Sequence, residues 1–588
     1  MPEWNLSDLY PAPDSAEYVR DLERIETNAK AFGDEFKGNL AVLAKDEPAT
    51  LARAISRFEE IQDTLGRLGA YAMLRYAGDN ADPERAKFFG DTREALTRIS
   101  TELLFFGLEL NRVEDDVLTA AMSEPKLAHY KPWLEELRLE RPYQLDDRIE
   151  ELFHEKSITG AGAWNRLFDE TMAALKFDVD GEVLSLEPAL NFMVSPDGDK
   201  RKSAAKAIAT TLKNNERTFT LITNTLAKDK EISDRWRGFE DVADSRHLAN
   251  RVERDVVDAL VEAVQTAHPK LSHRYYALKA KWLGHDTMPY WDRNAPLPNS
   301  DTSVIEWPKA RQIVLDAYRG FDPQMADIAR DFFDKDWIDA PVREGKMSGA
   351  FAHPTVPSAH PYVMLNYQGK TRDVMTLAHE LGHGVHQVLA AGQGALMADT
   401  PLTLAETASV FGEMLTFRSL LSEVSDTDRR REMIASKVED MINTVVRQIA
   451  FYSFERKVHT RRREGELTAD DLGDIWMSVQ GDSLGPAITF DDNYRTFWCY
   501  IPHFIHSPFY VYAYAFGDCL VNSLYAVYED ADEGFAEKYF DMLRAGGSKH
   551  HSELLAPFGL NAADPDFWNK GLGMIERFID DLEAMEEQ

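Results

Sequence analysis

The chain has little cysteine: two in 588 residues, Cys499 and Cys519, too few for a disulfide framework in a protein of this length. It has no window near the roughly 20 consecutive apolar residues that a membrane-spanning helix needs. Its start, Met1-Pro2-Glu3-Trp4-Asn5-Leu6, carries neither a basic cluster nor an apolar stretch, so no signal peptide is read there. Together these absences predict a cytoplasmic protein. Positive charge is also scarce, with 66 Lys and Arg against 100 Asp and Glu, a formal net charge of −34. So acidic a surface repels phosphate backbones, which argues against nucleic-acid partners and favours solubility. There is no internal repeat and no long low-complexity linker.

What is present is mostly helical patterning. From Ala204 to Ile232 the chain has no Gly or Pro and spaces Ile208, Leu212, Phe219, Ile222 and Leu226 at helical intervals. Residues 51 to 75 and 96 to 122 read the same way, and Ile575, Phe578, Ile579, Leu582 and Met585 form one apolar stripe near the end. Breaks fall at Ser195 to Asp199 and at Ala545 to Ser552, where Gly, Pro, Asn, Asp or Ser cluster. A cut near residue 195 divides the chain into an N-terminal helical part, 1–195, and a part bearing the chemistry, 196–588. One segment reads as strand: Pro361 to Tyr367, rich in β-formers and closed by Gly369.

The chemistry sits just after that strand. From Asp373 a helix is predicted to run toward Gly392, with Val374, Leu377, Leu381, Val385 and Val388 on its apolar face. His379 and His383, four residues apart, point the same way one turn apart and can converge on one ion. Zinc–nitrogen bonds of ~2.0–2.1 Å suit such a pair. Glu380 follows the first histidine directly and can reach a metal-bound water without ligating the metal itself. Such a motif arises by chance in roughly a few per cent of chains this long, and chance matches seldom face away from a helix's apolar stripe. Gly382 and Gly384 each cost the helix about 1 kcal/mol relative to Ala, which implies close approach by another segment or by a substrate.

A catalytic zinc site needs a third protein ligand and an open position. His386 lies on the far side of His383 from His379 and is read as a supporting or packing residue. The extended histidine-rich metzincin pattern is excluded, because His386 and Leu389 stand where it needs Gly and His. The next helix, opening near Thr400 or Thr403, brings Glu406 and Glu413 onto one face two turns apart. On spacing alone two readings of Glu406 stay open: a helix-capping carboxylate paired with Thr403, or the third ligand, with Glu413 orienting a ligand histidine.

His379-Glu380-Leu381-Gly382-His383 followed by Leu404-Ala405-Glu406-Thr407-Ala408-Ser409 resembles the thimet-oligopeptidase-like zinc metallopeptidases, and within them the oligoendopeptidase F group. Further matches lie at Leu365-Asn366-Tyr367 with Arg372-Asp373-Val374, at Trp4 to Tyr10, and at Ala545 to Ser548. The resemblance implies a mainly α molecule of two helix-rich lobes around a deep channel, with a small β-sheet beside the metal-binding helix. It implies Glu406 as third zinc ligand beside His379 and His383, with one Zn2+ per chain, and short peptides as substrates. It also places a histidine and tyrosines on a late segment facing the metal, here His503, Tyr510, Tyr512 and Tyr514, as oxyanion donors. From Ser507 and Pro508 a helix is predicted to carry those tyrosines, with His503 in the loop entering it.

The expected function is a zinc-dependent endopeptidase with Glu380 as general base, and the strand 361–367 is expected to pair with the extended substrate. Two other readings are weighed against it: a zinc-dependent dipeptidyl carboxypeptidase or carboxypeptidase, and a non-catalytic peptide-binding protein with a structural metal.

Overall fold

The computed structural model describes residues 1–157, 159–298, 304–347, 349–530 and 534–586. The molecule is mainly α, and its few strands form small sheets of two or three. None of the described helices is long and apolar enough to cross a membrane. Both cysteines are buried free thiols.

The chain folds into two compact units, each built from three separate stretches. One comprises Met1–Arg141, Thr302–Glu423 and Asp530–Gly559; the other comprises Pro142–Asp301, Val424–Glu529 and Leu560–Gln588. The break near residue 195 falls inside the second unit, just ahead of the long helix Gly198–Arg237. That helix runs past the predicted 204–232 at both ends. Asp197 caps its start by accepting from the N–H groups of Asp199 and Lys200, and Gly238 ends it in the left-handed conformation. The helix over 51–75 is found as Pro48–Gly78. The pattern over 96–122 breaks into three pieces, Pro83–Thr101, Leu104–Arg112 and Asp115–Ala121, because the turns at 102–103 and 113–114 let Phe105, Phe106 and Leu118 all turn inward.

In the first unit a three-stranded sheet sets up the site. Tyr362–Tyr367 is its centre, parallel to Ile338–Pro341 on one side and antiparallel to Phe351–His353 on the other. The strand expected to receive a substrate therefore has both edges taken. The outer side of Ile338–Pro341 is covered too, since Ala340 N–H donates to the Pro2 carbonyl at 3.0 Å. The N-terminal motif earns its place here: Trp4 packs edge-on against Tyr362, and the Tyr362 hydroxyl donates to the Asn5 carbonyl. Phe351–His353 is left as the edge strand.

A tight turn leads from the central strand into the histidine helix, Thr371–Ala390. Gly369 adopts a φ of +91°, and the Asp373 carboxylate accepts from the N–H groups of Gln368 (2.8 Å) and Lys370 (3.0 Å). Asp373 is thus a helix-start device. The tail motif is likewise structural: Gly547 N–H donates to Met397 O at 2.8 Å, and a Cβ on Gly546 would meet that same carbonyl.

Candidate metal centre and its neighbours

Two helices of the first unit build the centre, Thr371–Ala390 and Leu402–Glu423. Gly382 shows why they approach so closely. A Cβ there would lie 2.4 Å from the Ala408 carbonyl oxygen and 2.6 Å from Ser409 Cα, both backbone. The glycine cost noted in the sequence is thus offset by close helix packing, and Gly384 does the same against the Phe332 ring. Gly382→Ala is expected to lower stability by about 2 kcal/mol or more despite the better helix propensity of Ala, because backbone cannot move aside as a side chain can. Thermal unfolding would measure this, and an unchanged or higher midpoint would contradict it.

At this crossing three side chains meet. His379 Nε2 lies 3.4 Å and His383 Nε2 3.6 Å from Glu406 Oε2, and the two imidazole rings stand nearly perpendicular, 4.9 Å apart. One donor atom from each of the three lies within 4.8 Å of the others. Tetrahedral coordination at ~2.0–2.1 Å puts donors about 3.3 Å apart, so the set fits a single zinc-sized ion. All three side chains stay partly exposed, at 27%, 18% and 24%, which leaves room for a fourth, non-protein ligand.

Supporting contacts orient the set. His379 Nδ1 donates to Glu413 Oε2 at 3.2 Å, which turns the Nε2 lone pair toward Glu406 and His383. Ser409 Oγ donates to Glu406 Oε2 at 2.7 Å. Thr403 is one residue inside its helix and buried, so it is not an N-cap, and Glu406 turns to the histidines instead of the helix start. His386 is buried with Nε2 3.3 Å from Thr400 Oγ1, away from the set.

Electrostatics also favour a cation. Glu380, Glu406 and Glu413 crowd two imidazoles. Burial pulls the His379 imidazole down, but the Glu413 hydrogen bond and the charges of Glu406, Glu413 and Glu380 outweigh it and lift it to about 9. Burial pulls His383 down to about 4 and pushes the Glu380 carboxyl up to about 7. Glu406 is held below its ordinary value: burial opposes this, and His383 and His379 override it. Glu380 sits beside the ligand turn, 7% exposed, where the Ala352 N–H of the edge strand offers it a hydrogen bond.

A family model described as peptidase family M3 matches residues 320–574, which contain all of these groups, and a model for oligopeptidase F matches residues 109–177. The chain belongs to peptidase family M3. This M3 peptidase is 26% identical to oligopeptidase PepF of Bacillus subtilis over 99% of its own length and 87% of the relative's. It is also 26% identical to an oligoendopeptidase F homolog of Borreliella burgdorferi, over 95% and 94% of the two chains. Its fold matches a solved chain from Chlamydophila abortus (TM-score 0.86, 23% identity, 99% and 98% covered). Oligoendopeptidase-F from Enterococcus faecium follows at a TM-score of 0.72 (20% identity, 97% and 98% covered). The M3 chain is therefore a metallopeptidase acting on peptides.

The late aromatic segment of this M3 peptidase lies in the second unit and differs in detail from its sequence reading. His503–His506 forms a single helical turn, Ser507 ends it, and the following helix starts only at Tyr512. Phe509 causes the delay: its φ of +62° is left-handed, a conformation a bulky residue rarely adopts. His503 Nε2 and the Tyr514 hydroxyl meet at 3.2 Å, and the Tyr510 ring lies 5.3 Å from that of Tyr514. Tyr512 leaves the donor set. It is fully buried, and its hydroxyl accepts from Asn250 Nδ2 at 2.9 Å and meets His247 Nδ1 at 3.1 Å.

Glu455, which no sequence signal singled out, holds this segment in shape. Its Oε1 accepts from Phe509 N–H at 2.8 Å, and Arg246 Nε donates to the adjoining Pro508 carbonyl at 3.1 Å. Burial pushes the Glu455 carboxyl up to about 8, against the Phe509 N–H and the charges of Arg246 and Lys230. A raised carboxyl contributes stability in full below the unfolded value near 4.5, and that contribution is lost as pH rises through 8. Wild-type protein is therefore expected to lose thermal stability progressively between about pH 5 and pH 8, and Glu455→Gln to flatten that slope. An identical slope in the variant would refute this.

Proposed function

We propose that the chain is a zinc-dependent endopeptidase that hydrolyses internal bonds of short peptides, acting in the cytoplasm. The observation that carries this reading is the convergence of His379, His383 and Glu406 beside Glu380. Two imidazoles and one carboxylate, with a fourth position open, are the donor set of a catalytic rather than a structural zinc site. A zinc ion held there would acidify a water and polarise the scissile carbonyl.

The protein's own groups account for the rest. Glu413 keeps His379 in the tautomer that presents Nε2. Glu380 takes the proton released as water attacks and returns it to the leaving amine. An extended peptide is proposed to run along the edge strand Phe351–His353, with a substrate N–H sharing the Ala352 carbonyl that also accepts from Gln387 Nε2, while the Ala352 N–H stays with Glu380. His503, Tyr510 and Tyr514 are proposed as polar donors to the substrate, and the chemistry belongs to the 196–588 part of the chain.

The test is a length series of peptides with both termini blocked, run beside metal analysis of the purified protein. About one zinc per chain and cleavage of internal bonds despite the caps are expected. Hydrolysis that requires a free C-terminus would instead assign a dipeptidyl carboxypeptidase or carboxypeptidase, and bound metal with no turnover would assign a binding protein.

A further inference from the structure

Three buried cationic side chains lie near one another in the second unit, Arg201, Lys279 and Arg293. Two of them are paired. Arg201 Nε donates to Asp292 Oδ1 at 2.7 Å. The Lys279 ammonium donates to Glu439, which also accepts from the Tyr275 hydroxyl at 2.7 Å. Arg293 is not paired. It is 9% exposed, yet among the described residues its guanidinium has neither a hydrogen-bond nor an ion-pair partner. Its backbone, by contrast, is fixed: the N–H donates to Tyr290 O at 3.3 Å, and the carbonyl accepts from Lys279 Nζ at 2.7 Å.

Arg447 joins it. This residue lies in the first turn of helix Val446–Glu464, half-buried, with its guanidinium 4.9 Å from the centre of the Phe451 ring. Among the described residues it too has no hydrogen bond and no ion pair. Burial and the charge of Arg293 both depress it. The two arginines act on the same pair of phenols, Tyr276 and Tyr494, so they form one cluster. Tyr494 donates to Gln480 Oε1 at 3.1 Å. The hydroxyls of buried Tyr276 and half-buried Tyr500, which also faces both charges, find no partner among the described residues. Burial pushes the Tyr276 hydroxyl up to about 12, so it keeps its proton to donate at neutral pH.

Two guanidiniums and two phenols thus stand together with no carboxylate free to take them, because Asp292 and Glu439 are engaged elsewhere. Buried donors almost always have partners, and a buried charge without one is costly. An anion brought by a ligand would complete the set. Arginine forks match planar anions with two oxygens, and phenol hydroxyls can add further donors. Arg447 also bears on His503 of the same unit, one of the groups proposed as donors to the substrate.

We propose that Arg293 and Arg447, with the hydroxyls of Tyr276 and Tyr500, bind a carboxylate of the peptide substrate, from its C-terminus or from an acidic side chain. This rests on the reading of the chain as a peptidase. In a chain of net charge −34, such a site holds acidic peptides against the general field of the protein.

The experiment compares peptides in matched pairs: free acid against C-terminal amide, and Glu against Gln at each position around the cleaved bond. In one series the charged member should have a kcat/KM about 10- to 100-fold higher, the span of charge-assisted hydrogen bonding. A gain confined to free acids assigns the terminus, and a gain confined to Glu at one position assigns a side chain. Arg293→Gln and, independently, Arg447→Gln should each lower kcat/KM for the charged member at least about tenfold more than for the neutral one. Neither should lower the thermal midpoint, since neither guanidinium is hydrogen-bonded to the fold. The same pairs bound at equilibrium to the Glu380→Gln protein read the site without turnover. A charge preference in binding with no internal cleavage would therefore uphold the site and reject the endopeptidase reading. Equal rates and affinities within every pair would overturn the site. So would folded variants that keep the preference, or variants that lose stability with selectivity unchanged.

Discussion

Glu380→Gln is expected to fold, to keep its metal and to lose turnover of blocked peptides by about 10³-fold or more. The side chains have the same length and nearly the same volume, so packing around this 7% exposed position is preserved. The amide can still accept from the Ala352 N–H. What it cannot do is take a proton and hand it on, and general acid–base catalysis by a positioned group contributes about 10²–10⁴-fold. Both transfers in the proposed reaction pass through this one carboxylate, so the loss should fall at the upper end. The readouts are kcat on a capped peptide, metal content and the thermal midpoint of the same preparation. A variant with metal bound and activity within tenfold of wild type would remove Glu380 from the chemistry and take the proposed mechanism with it.

The second large effect concerns the metal. Glu406→Ala should leave two imidazoles at the centre and no anionic donor, and the protein should come out of dialysis against a chelator without metal. Glu413→Ala removes no ligand, but it frees His379 Nδ1 from its 3.2 Å partner, and groups in that position typically matter by about 10- to 100-fold in metal affinity. His386→Ala should leave metal content unchanged, since its Nε2 is directed to Thr400. The expected order of metal loss is therefore Glu406→Ala, then Glu413→Ala, then His386→Ala. Retention of one zinc by Glu406→Ala together with loss in His386→Ala would reassign the third ligand.

The ranking of these residues came from different kinds of information. His379, Glu380 and His383 were legible because their relation is local: helical periodicity alone puts i and i+4 on one face, whatever the rest of the chain does. The apolar stripe opposite them and the strand–turn–helix entry were legible for the same reason. Glu406 was legible as a candidate only, since a carboxylate three residues after a threonine is also what a helix start looks like. The crossing of two helices at Gly382, with backbone 2.4 Å from where a Cβ would be, is what turns Glu406 toward the histidines.

Where the sequence reading failed, the missing information was about neighbours. The run Pro361 to Tyr367 has the composition of a strand, but composition does not say whether a strand is central or at an edge. Pairing on both sides makes it central and hands the edge to the short segment Phe351–His353. Tyr512 belongs to the same aromatic run as Tyr510 and Tyr514, and only the partners Asn250 and His247, more than 250 residues earlier in the chain, mark it as core. Phe509 has no glycine-like signature, so the delayed helix start could not be read from it; Glu455 supplies the buried acceptor for its N–H.

By itself, then, the sequence determined the helical class, the two-histidine motif with its adjoining glutamate, and the chemistry those residue types permit. These depend on periodicity and on side-chain donor sets, which act within one or two turns of chain. Tertiary structure decided which carboxylate stands beside the two histidines, that the strand 362–367 is central and not at the sheet's edge, and that Tyr512 is core while Tyr510 and Tyr514 are only partly buried. Each of these depends on contacts between segments far apart in the chain, where packing distance rather than local spacing selects the outcome.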